Sequence, residues 1–113
     1  MRPSLKQYIE QEILPRYDHF DSAHRRDHAE QVMRESLRLA ALHGAREELA
    51  YTIAAYHDTG LVAGRELHHI HSGEILRADQ RLREWFTEEE IALMAEAAED
   101  HRASSDHAPR TLY

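Results

Sequence analysis

The chain has no cysteine. That excludes disulfides and any thiolate metal site. Only three prolines and four glycines interrupt 113 residues, so helical segments meet few breakers. No apolar run approaches the roughly 18 residues a membrane-spanning helix needs, and no signal-peptide pattern opens the chain. The cytoplasm is therefore the expected compartment, with no membrane partner. A basic excess is missing too: 14 Lys and Arg face 21 Asp and Glu, a formal net charge of −7. General nucleic-acid binding wants the opposite sign. Local arginines still leave room for a small phosphorylated ligand.

What is present is a soluble composition, 42% hydrophobic and 31% charged, of a length that suits one domain over residues 1–113. Most segments repeat with a 3.6-residue period, which predicts an all-α fold of about five helices. Ser4 and Gln7 read as a capping box for a first helix, with Leu5, Ile9 and Ile13 on one face and Pro15 as its stop. Asp21 or Ser22 caps a second helix running to about His43, with Gly44 as its C-terminal stop. Ala45 to His57 form a third. Asp58 to Arg65 read as a loop. A fourth runs from about Leu67 to Leu82, with an irregularity at Ser72-Gly73. Thr87 and Glu90 make a second capping box, opening a fifth helix that runs to His101.

Ten histidines are many for this length, and their positions matter more than their number. His28 lies on or beside the stripe Val32, Glu35, Ser36 and Leu39 of the second helix. His57 continues the Leu49 and Ile53 stripe of the third, and Asp58 follows it. His101 continues the Met94 and Ala98 stripe of the fifth. Three histidines on three helices thus point towards one interior, each near a helix end, as in metal sites built by helical bundles. A lone histidine on an apolar face is ordinarily a core residue bonded to a carbonyl. Three of them with a carboxylate are costly to bury unless paired or metal-bound. His19, His43 and His107 fall at helix ends or in loops and read as solvated. Of His68, His69 and His71, at most two share a helix face.

The stretch "DSAHRRDHAEQV" with His28, followed by the His57-Asp58 doublet after "AAY", resembles the HD-domain superfamily of metal-dependent phosphohydrolases. The similarity runs from about Asp21 to Tyr113. "HIHSG", His69 to Gly73, looks like the His-x-x-x-Gly step of members with two metals, and "AEDHR" looks like their later histidine. The resemblance implies an HD-like helical bundle. It also implies hydrolysis of a nucleotide or other small phosphoester through metal-activated water. His28, His57 and Asp58 would be first-metal ligands, with Asp58 able to bridge two metals. His69 and His101 would hold a second metal or contact phosphate. The family's final ligand Asp has no counterpart before Tyr113, since Asp106 lies in a Ser- and Pro-containing loop. The expectation that follows is a domain truncated at its C-terminus.

The donor set suits borderline divalent ions such as Fe, Mn, Co, Ni or Zn, one or two of them. Asp58 and His24, one turn before His28, are the candidate catalytic groups, His24 as proton shuttle or substrate contact. Arg25, Arg65 and Arg102 are candidates to grip phosphate, as is Arg26 beside them. The competing reading is a non-catalytic metal- or nucleotide-binding helical module. Homo-oligomerisation is left open, through an apolar groove that a missing C-terminal helix would expose.

Overall fold

A computed structural model describes residues 1–20, 26–63 and 67–100. Among the described residues the protein is all-α, with five α-helices and no strand. They are α1 (Pro3–Tyr8), α2 (Arg26–His43), α3 (Glu47–Tyr56), α4 (His68–Ala78) and α5 (Glu88–Asp100). No helix is long and apolar enough to cross a membrane.

The centre is α3. Every residue from Leu49 to Tyr56 is buried, as expected of a helix apolar all round. Helices α2 and α5 pack against it, and α4 packs on α5. The N-terminal segment closes the core with Leu5, Ile9, Ile13 and Tyr17, spaced four apart and each fully buried. Here the structure departs from the sequence reading. Pro15 does not stop the helix. The chain passes from α1 through a π-helical turn (Ile9–Ile13) into a 3-10 helix (Leu14–His19), whose first turn accepts proline because no N–H is needed there. Ser4 and Gln7 do not form a capping box. Arg2 occupies the N-cap without a side-chain cap bond, and Ser4 Oγ instead accepts from Trp85 Nε1 at 2.9 Å.

Other boundaries also shift. The Asp21 or Ser22 cap of α2 lies outside the described residues. The buried stripe of α2 is Ala29, Met33 and Ala40, so His28 sits beside it, while Glu35 and Leu39 are exposed. Gly44 ends α2 with φ +69°, the left-handed stop expected of it. Thr59–Ala63 is a 3-10 helix within the segment expected to be a loop. Helix α4 ends at Ala78, and Gln80–Glu84 form a separate 3-10 turn. Asp79 stands between them and accepts from the Arg81 N–H at 3.1 Å. No irregularity occurs at Ser72-Gly73. A Cβ on Gly73 would lie 2.6 Å from Glu99 Cγ and 3.0 Å from the Ala95 carbonyl, so this glycine lets α4 lie close on α5. The Thr87–Glu90 capping box is present in both directions, at 2.8 and 3.1 Å.

Candidate metal centre

Helix α3 delivers His57 at its C-cap and Asp58 one residue later. Both are buried, at 4% and 6% exposure. Helix α2 brings His28 alongside, its ring centroid 6.1 Å from that of His57. One ligand atom from each of His28, His57 and Asp58 lies within 4.8 Å of the others. Ligand bonds to a borderline divalent ion run about 2.0–2.2 Å, so donors to one ion stand about 3.4–4.4 Å apart. The widest pair needs to close by at most about 1.4 Å, while His57 Nε2 and Asp58 Oδ2, at 3.1 Å, are already near that range.

The local chemistry fits a cation. His57 Nδ1 is engaged by the Ala54 carbonyl, so Nδ1 carries a hydrogen and Nε2 is the nitrogen left to face Asp58. That Nε2 stands 3.1 Å from Asp58 Oδ2. Two acceptors this close require a proton or a metal ion between them. The histidine–carbonyl contact is also the usual way an imidazole ligand is oriented. The other carboxylate oxygen, Asp58 Oδ1, lies 3.2 Å from His68 Nε2.

Tyr17 fixes the end of α3 from below. Its hydroxyl donates to the Ala55 carbonyl at 2.7 Å and accepts the Asp58 N–H at 3.2 Å. Its ring stacks on His57 at 6.5 Å. Burial pushes the Tyr17 phenol well above its ordinary range, so it stays neutral and keeps both bonds. Thr59 Oγ1 donates to the Tyr56 carbonyl at 2.7 Å, closing the helix end. Gly60 donates to Ser72 Oγ at 2.8 Å, and Ser72 donates to the His68 carbonyl at 2.9 Å. A Cβ on Gly60 would lie 1.9 Å from the His68 carbonyl oxygen. Gly60 therefore serves close approach: it lets α4 start against the His57-Asp58 turn.

Of the sequence-predicted residues, His28, His57 and Asp58 come together. His69 does not join that group. Its ring meets His68 edge-on, with centroids 5.6 Å apart, and His68 is the residue at Asp58. His24, Arg25, Arg65, His101, Arg102, Asp106 and His107 lie outside the described residues. Arg26 pairs with Asp18 at 3.4 Å and ties α2 to the 3-10 turn before it. Sequence reasoning missed Tyr17, Ser72 and His68. Tyr17 was discoverable as the next step of the Leu5, Ile9, Ile13 spacing; Ser72 carried no signal of its own. No family model, curated protein or solved structure matches the chain.

Proposed function

We propose that the chain binds a divalent transition metal through His28, His57 and Asp58 and hydrolyses a small phosphoester, such as a nucleotide, in the manner of HD-domain proteins. The carrying observation is the convergence of two imidazoles and a carboxylate from two helices within 4.8 Å, two of the three residues being buried. A bound ion would supply a water nucleophile near neutral pH and offset charge on the phosphoryl oxygens. The chain's own residues do the rest. Ala54 holds the His57 ring with Nε2 inward, and Tyr17 fixes the Asp58 backbone. Three protein donors leave coordination positions open for water and substrate, as catalytic sites require.

The test is elemental analysis of untagged protein, followed by phosphate release from a nucleotide panel with added Mn or Co. Metal-dependent release, lost on chelation and in His57→Ala, is the expected result. Release that persists in both cases overturns the proposal. The second reading, a binding module without turnover, draws on the three-donor count among the described residues. It predicts that added metal raises the melting temperature, by about 2.7 kcal/mol of linkage at a hundred times Kd, while phosphate release stays at background.

A further inference from the structure

We infer that His68, the first residue of α4, is a positioning residue: its Nε2–H donates to Asp58 Oδ1 and turns the other oxygen, Oδ2, toward His57. The inference rests on the metal-site reading, because it assigns Oδ2 as the oxygen offered to the ion. It also says that His68 is not itself a ligand.

Four observations carry it. The contact is short, 3.2 Å from Nε2 to Oδ1, whereas the His57 contact falls on Oδ2 at 3.1 Å. The two oxygens are thus divided between two rings. His68 stands outside the group of three donors that lie within 4.8 Å of one another. Its side chain is 30% exposed while that of Asp58 is 9% exposed, so it approaches from the rim. Finally, its backbone is fixed to the very turn it serves. The His68 carbonyl takes the Ser72 hydroxyl, Ser72 takes the Gly60 N–H, and a side chain at Gly60 would block the approach. Asp58, Gly60, Ser72 and His68 close a ring of contacts through the 3-10 turn. Leu67, the N-cap of α4, adopts the left-handed conformation at φ 60°, uncommon for leucine. Its carbonyl takes the Ile70 and His71 N–H groups at 3.0 and 3.1 Å, which anchors the first turn of the helix. A hydrogen bond to a ligating carboxylate orients it and sets its basicity, and removal of such a partner typically weakens metal binding about 10–100-fold.

The test has two arms. In the first, long-range ¹H–¹⁵N spectra of metal-free protein with labelled histidine are recorded at about pH 8, where imidazoles are mainly neutral. His68 is expected as the Nε2–H tautomer, with an Nε2 shift that moves in Asp58→Ala. An Nδ1–H form, or a shift indifferent to Asp58→Ala, overturns the inference. In the second arm, Mn and Co are titrated by calorimetry into wild type, His68→Gln and His68→Ala, each checked for folding by circular dichroism. Glutamine keeps an N–H at the reach of Nε2. His68→Gln is expected to bind as wild type does, and His68→Ala about 10–100-fold more weakly. A His68→Gln variant as weak as His68→Ala would make the imidazole a ligand and overturn the inference. So would a His68→Ala variant with wild-type affinity. If wild type binds no metal, the proposed function fails by itself, and the first arm still decides the hydrogen bond.

Discussion

Asp58 and Asp79 both follow the last turn of a helix, α3 and α4, and both are held by side chains from elsewhere in the chain. Their partners differ in kind. Asp79 Oδ2 accepts the Tyr8 hydroxyl at 2.6 Å and also the Tyr56 hydroxyl, and its Oδ1 accepts the Arg81 N–H. Asp58 faces imidazole nitrogens: Nε2 of His57, Nε2 of His68 and a ring nitrogen of His28. A neutral phenol donates a proton, and Asp79 is satisfied by such donors without any ion. An imidazole with its other nitrogen already engaged meets a carboxylate through that one remaining nitrogen, so Asp58 and His57 together need a proton or a metal ion between them. Tyr56 and His57 are neighbours in sequence, yet each serves a different carboxylate. One α3 end thus builds a structural knot and, beside it, part of the His28–His57–Asp58 group proposed as a metal site.

The widest separation between the two carboxylates is expected in metal binding. Asp58→Ala should weaken Mn or Co binding by more than about a hundredfold, beyond the loss typical of supporting partners. Asp79→Ala should leave that affinity unchanged. It should instead lower folding stability by about 1–3 kcal/mol, because two part-buried hydroxyls lose their acceptor. Calorimetric titration and urea denaturation of both variants measure the pair. Equal effects on affinity would erase the distinction.

Next in size is Gly60→Ala. The added Cβ meets backbone atoms of α4, at 1.9 Å from the His68 oxygen and 2.5 Å from the Ser72 nitrogen. No flexible side chain can give way, so a loss of about 3 kcal/mol is expected, the upper end for overpacking. Gly44→Ala is the control. Nothing lies within 4 Å of its Cβ, and only the left-handed backbone conformation opposes it, at about 1–2 kcal/mol. Urea midpoints that rank the two in the opposite order would remove the close approach of α4 from the account of the site.

Tyr17→Phe sharpens the comparison again. It keeps the ring on His57 but removes the acceptor of the buried Asp58 N–H and the donor to the Ala55 carbonyl. About 2 kcal/mol of stability should be lost, together with metal affinity. Tyr56→Phe removes one of the two phenols at Asp79 and should cost stability alone. Parallel metal titrations of the two variants check the split. If they proved indistinguishable, Tyr17 would be only a core residue.

The sequence made some of this legible. Periodicity placed His28, His57 and His101 on inward stripes, with Asp58 beside His57, and the resemblance named His28, His57 and Asp58 as one set; the structure brings those three together, and His101 lies outside the described residues. His68 was not distinguishable from His69, because adjacent helical residues point about 100° apart and the rotation of α4 is set by contacts that no local pattern records. Those contacts are the Gly60–Ser72–His68 bonds and the left-handed Leu67. Tyr17 was obscured by Pro15. A proline ordinarily ends a helix, but here a π turn followed by a 3-10 turn carries the chain past it with the spacing of four intact. Gly60 fell within a segment read as a loop, whereas its place in the structure leaves room for the backbone of α4.

The smallest expected effect concerns alkaline pH and is read at Tyr8, on the Asp79 side. Burial, and then the hydrogen bond to Asp79, push the Tyr8 phenol up to about 12. An unfolded tyrosine titrates near about 10. The unfolded chain therefore loses this proton first as pH rises, and stability depends on keeping it. The contribution is present in full below about pH 10 and declines as pH rises toward about 12. Tyr51 is likewise pushed up to about 12, by burial and then by Glu10 and Glu30, and burial raises Tyr17 and Tyr56 too, so wild type and Tyr8→Phe should both lose stability over this window. Wild type should lose more. Urea midpoints for the two proteins at several pH values between 9 and 12 would show it as a gap that narrows with rising pH. Parallel curves would mean that the Tyr8–Asp79 bond contributes nothing that ionisation can remove, and the knot would then rest on Tyr56.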